Sequence, residues 1–315
     1  MGEGIGLALS GGGVSGASHV GVLLALEEAG IPIDFVAGTS SGSVVAALSA
    51  YGLTAREMEQ HFPALTRRLL DWDVKSLLKF LLTRSRSRIT GLIKGEAFYR
   101  LLQSVFGETP LTQARKPVAI CATDLTFGEE VIFSSQPLQR ELERTVVIQQ
   151  GTFAEAVRAS IGLPFLFQPV VREGRSLVDG SIVDHCPILP VRSLGASKVL
   201  AVDVVTPYTR RARAPYGLFD IYGKAINLML SRQTTSYQQW AEYVLFPEVG
   251  NVGVIDFKQV QACIERGYHY TAARIPEIRA RLFSPRASAE APQLSQASPD
   301  NQRMGLLRRA VKASQ

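Results

Sequence analysis

The sequence has few cysteines and no long apolar segment. Its three cysteines, Cys121, Cys186 and Cys263, include no Cys-x-x-Cys pair, which argues against a zinc ribbon or a disulfide-rich fold and favours a reducing compartment. No uninterrupted apolar run approaches the roughly 20 residues that span a bilayer. The N-terminal segment lacks a basic start before its first apolar run, so we expect no secretory signal and predict a cytoplasmic protein.

Outside two segments, the chain has no excess of positive charge. Of the 315 residues, 46% are apolar and 20% are charged, which is ordinary for a folded domain and excludes wholesale disorder. Residues 66–88 hold seven Arg or Lys against two Asp, and residues 284–315 hold five against two acids, so the rest of the +6 chain sums to −2. Local basic segments favour contact with an anionic surface over nucleic-acid binding.

Strand and helix patterns alternate near the N-terminus. Apolar runs at 5–9 and 35–37 predict strands, and the stretches 17–29 and 43–50 have helical spacing. Such alternation predicts parallel β-α-β units and an α/β fold. The segment 54–106 shows helical patterns without a strand signal, so we expect a helical cap inserted into the domain.

Similar patterns continue to about residue 283. The predicted strands lie at 117–122, 129–134 and 198–205. The stretches 222–245 and 257–282 are predicted to be helical. Residues 284–315 are rich in Ser, Pro, Ala and Gln, which predicts a disordered basic tail. We therefore expect one domain over residues 1–283.

A Gly-x-Ser-x-Gly motif, Gly38-Thr39-Ser40-Ser41-Gly42, follows the second predicted strand and opens a helix. A strand–turn–helix junction bends sharply, and glycines beside the serine keep the neighbouring backbone from crowding it. The serine would stand near a helix N-terminus, whose dipole favours developing negative charge. The motif predicts Ser40 as a nucleophile, with a Ser/Gly-rich helix cap as the alternative.

A second glycine-rich turn, from Ser10 to Gly16, follows the first predicted strand. The backbone N–H groups of Gly11, Gly12 and Gly13 suit an anion, either a phosphate or the oxyanion of acyl transfer. The turn matches Gly-x-Gly-x-x-Gly. A dinucleotide-binding site, however, usually has an acidic residue at the end of the second strand to bind the ribose, and none clearly stands there. A Gly-Lys-Ser/Thr phosphate loop is absent. We interpret the turn as an oxyanion hole.

A nucleophilic serine needs a base, and the sequence offers two kinds. His185 and His269 follow Ser40 in the order of an ordinary hydrolase triad, although neither lies in a recognisable catalytic loop. Asp179, which precedes Gly180 at the end of a short apolar strand, is the other candidate. An Asp-Gly pair alone is usually a simple turn, so the residues by themselves leave both bases open.

Taken together, the motifs resemble the patatin-like phospholipases. The matching segments are 11–16, 38–42, 159–170, 179–180 and 194–203. The resemblance spans about residues 5–280 and implies a three-layer α/β/α fold that cleaves acyl esters of lipids with a Ser–Asp dyad, without histidine, metal or organic cofactor. It implies Ser40 as the nucleophile, Asp179 as the base, and the amides of Gly11, Gly12 and Gly13 as the oxyanion hole.

Three residues depart from the pattern of that family. Ser15 stands where Arg or Lys is usual, Ser181 where Gly or Ala is usual, and His185 where the Asn of Asn-x-Pro is usual. Ser15 and His185 leave open a catalytically weak lipid-binding or regulatory protein. A general carboxylesterase or thioesterase on soluble acyl substrates is another alternative. A nucleotide-binding protein is the third alternative.

Contact with lipid is predicted from two basic segments. Residues 68–81 place five apolar side chains within an arc of about 100° on a helix, opposite Arg and Lys. Such a helix packs on a core or lies on an anionic membrane. The segment 303–312 is a second, shorter candidate. We expect a lipid or phospholipid acyl ester as substrate and peripheral contact with the inner face of a membrane, and we leave the oligomeric state open.

Overall fold

A nine-stranded sheet is the centre of the chain. The computed structural model describes residues 4–66, 71, 73, 90–205, 217–250 and 252–283. The strands are β1 (Ile5–Leu9), β2 (Phe35–Thr39), β3 (Val118–Asp124), β4 (Glu129–Ser134), β5 (Thr145–Ile148), β6 (Val170–Arg172), β7 (Arg175–Asp179), β8 (Lys198–Val202) and β9 (Tyr243–Leu245). Their order is β5-β4-β3-β2-β1-β8-β9, and β7 pairs with both β3 and β6. This mainly parallel sheet confirms the α/β prediction.

Helices lie along the chain between and after these strands. In the described residues they are α1 (Ser18–Glu28), α2 (Ser41–Tyr51), α3 (Ala55–Thr66), α4 (Glu96–Phe106), α5 (Phe153–Ser160), α6 (Ile188–Ser193), α7 (Leu218–Tyr237), α8 (Val260–Ala272) and α9 (Ile275–Phe283). Among them, no helix combines the length and apolar character needed to cross a membrane. Because parallel strands need crossover connections, such helices follow from the strand order.

Two separate groups of buried side chains pack on the two faces of the sheet. Leu7 and Leu9 of β1 belong to the larger group, together with residues of α1, α2 and α8. Ala8, between them, belongs to the smaller group, together with Ile188 and Val191 of α6. Successive strand residues point to opposite faces. Helices therefore cover both faces of the sheet, as a three-layer α/β/α fold requires.

The predicted cap segment, 54–106, contains α3 and α4. Between these two helices, residues 67–70, 72 and 74–89 lie outside the described residues, and with them most of the predicted helix at 68–81. The predicted basic tail, 284–315, also lies outside. Cap and tail therefore stay predictions.

One predicted helix is wrong at its C-terminal end. The stretch 222–245 was expected to be helical throughout, but α7 ends at Tyr237 and residues Tyr243–Leu245 form β9. This strand pairs in parallel with β8, with Tyr243 opposite Leu200. Three residues are too few to show an alternating pattern, so the available edge of β8 decides their conformation rather than local propensity.

Candidate active site

The C-terminal ends of β2 and β7 meet along one edge of β3. β4 pairs with β3 along one edge, so β2 and β7 share the other. Thr39, the last residue of β2, lies opposite Cys121, and Asp179, the last residue of β7, lies opposite Ala122. β2 runs parallel to β3 and β7 runs antiparallel, so their C-terminal ends meet. Ser40, which follows Thr39, thereby comes next to a residue 139 positions away.

The side chains of Ser40 and Asp179 form a direct hydrogen bond. Ser40 Oγ donates to Oδ2 of Asp179 over 2.6 Å, a distance typical of a hydroxyl bound to a carboxylate. The other carboxylate oxygen, Oδ1, accepts the backbone N–H of Ser181 over 2.9 Å. Asp179 is only 1% exposed. The structure thus brings the two predicted residues together and fixes the orientation of the carboxylate.

The surroundings of Asp179 change its basicity. Burial raises the pKa of Asp179, while hydrogen bonds from Ser40 and Ser181 and the nearby ring of His185 act in the opposite direction. The net effect is a raised pKa. A carboxylate with a raised pKa is a stronger base toward a hydroxyl group than an exposed one.

The backbone of Ser40 is strained, and hydrogen bonds hold both its amide and its carbonyl. Its φ of 52° and ψ of −124° lie in a region that costs a non-glycine residue about 1–3 kcal/mol. The Ser40 N–H donates to Oγ of Ser160 over 2.9 Å, and the Ser160 hydroxyl donates to the carbonyl of Cys121 over 2.6 Å. Ser43 Oγ donates to the Ser40 carbonyl over 2.6 Å. Ser160 was not predicted to have this role, and no local signal marks it.

The glycines of the Gly-x-Ser-x-Gly motif are required by close packing. A Cβ atom on Gly42 would lie 2.3 Å from the carbonyl oxygen of Leu9, and one on Gly38 would lie 2.4 Å from the carbonyl oxygen of Gly42. Real Cβ atoms do not approach so closely. The sharp bend expected from the sequence is present, with α2 beginning directly after Ser40.

The first glycine turn lies beside Ser40 but does not offer all three predicted amides. A Cβ atom on Gly11 would lie 3.2 Å from Cβ of Ser40. The Gly11 N–H, however, donates to the carbonyl of His185 over 3.1 Å, so it is already used within the protein. Gly12 and Gly13 line the cavity at Ser40, and neither amide donates a hydrogen bond within the described chain. The amides of Gly12 and Gly13 can therefore donate to a ligand.

The histidines have other partners. Nε2 of His185 lies 3.3 Å from Oδ1 of Asp203, and both side chains are buried. His269 is exposed on α8. Burial lowers the pKa of His19 to about 4, although its bond with the Ser10 carbonyl opposes this. Across the described ranges, no imidazole forms a hydrogen bond with the hydroxyl of Ser40, so Asp179 is the basic group in contact with it.

An apolar cavity of about 160 Å³ opens beside Ser40 and Asp179. One helix of the predicted cap, α4, and the later helix α7 both contribute to its wall. The apolar residues from these two helices are Phe98, Leu101, Leu102, Val105, Phe106, Ile226 and Leu230. The polar side chains of the lining are those of Ser40, Ser41, Asp179 and Ser181. This mainly apolar lining suits a hydrocarbon chain that presents one polar group to Ser40.

The closest approach to a metal-ligand set in the described residues is Cys121, Glu130 and Asp184. One potential ligand atom from each lies within 4.8 Å of the others. Burial raises the pKa of all three groups, and for Asp184 the charge of Glu130 adds to this effect. Raised pKa values favour the protonated forms, which are poor metal ligands. In the described residues, the hydroxyl of Ser40 forms its hydrogen bond with Asp179 and not with any of these three groups.

Comparison with known proteins supports the same family as the motifs. Patatin-like phospholipase domain-containing protein 6 of Homo sapiens is 33% identical over 207 residues, which cover 64% of this chain and 13% of that protein. Lysophospholipase NTE1 of Yarrowia lipolytica is 34% identical over 204 residues, which cover 64% of this chain and 13% of that protein. The chain thus corresponds to a small part of each relative.

A solved structure has the same fold at low sequence identity. VipD from Legionella pneumophila superposes with a TM-score of 0.50 at 16% identity, over 88% of this chain and 67% of that one. The model of the family described as patatin-like phospholipase matches residues 7–192, which is more than half of the chain and includes Ser40 and Asp179. On this match, the chain belongs to the patatin-like phospholipase family.

Proposed function

We propose that the chain hydrolyses acyl esters of lipids or phospholipids, with Ser40 as the nucleophile and Asp179 as its base. The observation that carries the proposal is the 2.6 Å hydrogen bond between Ser40 Oγ and the buried carboxylate of Asp179. The apolar cavity beside this pair supports a substrate with a hydrocarbon chain. The names of the human and yeast relatives, a patatin-like phospholipase domain protein and a lysophospholipase, agree with that class.

The first half of the reaction forms an acyl-serine. Asp179 Oδ2 takes the proton of Ser40 Oγ as the oxygen attacks the ester carbonyl carbon. The carbonyl oxygen becomes an oxyanion, which the amides of Gly12 and Gly13 and the N-terminus of α2 stabilise. The bond to the leaving alcohol then breaks, and the proton on Asp179 passes to the departing oxygen. Asp179 is again a carboxylate, and the acyl group is on Ser40.

The second half releases the fatty acid. Asp179 takes a proton from a water molecule as the water oxygen attacks the acyl carbonyl carbon. The same two amides stabilise the second oxyanion. When the bond to Ser40 Oγ breaks, the proton on Asp179 returns to the serine, which restores the starting state.

Location and membrane contact belong to the same proposal. A cytoplasmic enzyme that contacts the anionic inner face of a membrane would use the excess of Arg and Lys in 66–88 and 284–315. Electrostatic attraction between such segments and anionic lipid weakens with salt. Vesicle binding that ignores both salt and anionic lipid content would contradict this part of the proposal.

The test replaces each member of the dyad by a residue of similar size. We expect Ser40→Ala to lower kcat/KM for phospholipid or lipid ester hydrolysis by at least about 10³-fold. Asp179→Asn should lower it by about 10²–10⁴-fold, because the base is lost and the geometry kept. Labelling by a fluorophosphonate should disappear in Ser40→Ala, and circular dichroism should be unchanged.

Ser104→Ala is the control, since Ser104 is an exposed serine on α4 whose hydroxyl, within the described part of the chain, donates to the nearby Leu101 carbonyl. This variant should keep full labelling and full hydrolysis. Full activity in either dyad variant would contradict the mechanism. A folded wild-type protein that neither hydrolyses lipid esters nor reacts with the probe would favour a binding or regulatory protein.

A further inference from the structure

α7 forms part of the cavity wall with one of its faces. Ile226 and Leu230 on this helix line the cavity beside the candidate dyad, and Leu230 is buried. The helix is also tied to the loop before β6, because the hydroxyl of Tyr222 donates to the carbonyl of Pro164 over 2.6 Å. α7 is therefore part of the site and not a separate appendage.

The opposite face of α7 is apolar and exposed. Ile221, Leu228 and Met229 are between 47% and 58% exposed. At the 100° per residue of an α-helix, these residues lie together with exposed Ala225 and Arg232 within an arc of about 100°. Three large apolar side chains on the outer face of one helix form a contiguous surface rather than scattered exposed positions.

Two exposed residues from other segments lie beside α7 or at the cavity. The ring of Phe165, itself exposed, lies 5.7 Å from the ring of Tyr222 on α7. Ile255 is exposed as well, and it also lines the cavity, so the cavity wall continues into the surface there. We name Ile221, Leu228, Met229, Phe165 and Ile255 the α7 patch.

The charge along this part of the sequence is positive. Residues 206–237 contain five Arg or Lys and one Asp. Three of the basic residues, Arg210, Arg211 and Arg213, precede the helix in a stretch, 206–216, that has no acidic residue. Large exposed apolar side chains combined with basic residues are typical of helices that lie in the interface of an anionic membrane.

We infer that the α7 patch docks on the surface of an anionic phospholipid bilayer, with the cavity opening toward the acyl chains. A bilayer fits better than a second copy of the chain, because one helix joins the exposed surface to the cavity that ends at Ser40. An acyl chain can then pass from the membrane into the cavity without entering water. The inference rests on the proposed function for its substrate, but docking itself does not require Ser40.

The experiment measures binding of the full chain to vesicles of phosphatidylcholine and phosphatidylglycerol, and to vesicles of phosphatidylcholine alone. The chain carries Ser40→Ala, so that hydrolysis does not alter the vesicles. Adding Leu228→Asp and Met229→Asp should weaken binding to the anionic vesicles by about tenfold or more, because two apolar contacts are lost and negative charge is added. The matched control is Val171→Asp, an exposed apolar residue on β6, which should bind unchanged.

A second readout separates docking from chemistry. With Ser40 restored, the double variant should lose hydrolysis of vesicle lipid by about tenfold or more and keep hydrolysis of a soluble short-chain ester within about twofold. Circular dichroism checks its fold, and Ile221→Asp is the independent variant if the double variant does not fold.

The inference is overturned if the variants bind anionic vesicles as well as the control, or if the unsubstituted surface does not bind them. It is also overturned if the chain is a dimer that the variants dissociate, since a second copy then covers the patch. If Ser40→Ala retains hydrolysis while the patch variants lose vesicle binding, the proposed function fails and the docking surface stands.

Discussion

At the scale of single residues, the central feature is a serine hydroxyl bound to a buried carboxylate. In the described part of the chain, Asp179 is the basic side chain in hydrogen-bond contact with Ser40 Oγ. Its two oxygens have separate tasks, because Oδ2 faces the hydroxyl while Oδ1 is held by the Ser181 amide. A single carboxylate oxygen is thus placed to receive the proton, and its ionisation should control the reaction.

The pH dependence of hydrolysis follows from the raised pKa of Asp179. The proposed mechanism needs the carboxylate form of Asp179. A raised pKa means that its protonation occurs at a higher pH than that of a free Asp, whose pKa is about 3.9. As the pH falls, kcat/KM should therefore decline with a midpoint clearly above that value. A pH–rate profile on a soluble ester, over a range where circular dichroism shows a folded protein, measures this midpoint. A decline centred at or below the value of a free Asp would argue against Asp179 as the base.

At the scale of elements, the tight turn between β2 and α2 sets the position of the proposed nucleophile, Ser40. Gly38 and Gly42 permit a close approach of backbone to backbone, and Ser40 between them takes a left-handed φ of 52°. Ser40 adopts a conformation that favours glycine, yet the proposed chemistry needs its side chain. Hydrogen bonds from Ser43 and to Ser160 hold it there.

This strain predicts an unusual order of stabilities for two variants of Ser40. Ser40→Gly should be more stable than Ser40→Ala by about 1 kcal/mol, because both lose the hydroxyl but only alanine keeps a Cβ in the strained region. Urea unfolding of the two variants measures the difference. At Ser49, which lies inside α2, the order should reverse, with glycine less stable than alanine. Glycine proving the less stable substitution at both positions would contradict strain at Ser40.

Prediction from sequence succeeded for elements with a clear local pattern. β1, β2 and the helices after them follow from apolar periodicity and from the glycines between them, which are local properties. β9 and the short strand β5 were not foreseen, because three or four residues carry too little pattern and their conformation depends on a neighbouring strand edge. For the same reason, the prediction of a helix over 222–245 is wrong at its C-terminal end.

At the scale of the whole molecule, segments far apart in sequence enclose the cavity. α4 lies in the predicted cap, and α7 lies after β8, yet both line the same space beside Ser40 and Asp179. Neither helix reveals this role in its own sequence, since an apolar face serves equally for core packing. Because these helices enclose the cavity, we predict that its size limits the length of the acyl chain that can bind.

Narrowing the cavity should change the preference for chain length. Val105 on α4 lines the cavity and is partly buried. In Val105→Phe we expect kcat/KM for long-chain esters to fall by about tenfold while short-chain esters change little, because the lost space is worth about one to two buried methylene groups of substrate. Rates on a series of synthetic esters of increasing chain length measure the effect. Equal losses for every chain length would show that the cavity does not hold the acyl group.

The sequence by itself determined the α/β fold class and the strand–turn–helix around Ser40. These features depend on apolar periodicity and on the glycines beside the serine, which are local properties. The space around Gly42 is limited by the carbonyl oxygen of Leu9 on β1, so the tertiary structure decides why glycine is needed there. The assignment of Asp179 as the base rests on the family resemblance of the ordered motifs, because an Asp-Gly pair alone does not distinguish a base from a turn.

Only the tertiary structure decided which groups meet at Ser40. β2 and β7 end against each other because they share one edge of β3, and this pairing joins residues 139 positions apart. The same packing uses the Gly11 amide for the His185 carbonyl and places Ser160 under the Ser40 amide. Such partners depend on strand pairing across the whole chain, which local sequence does not specify.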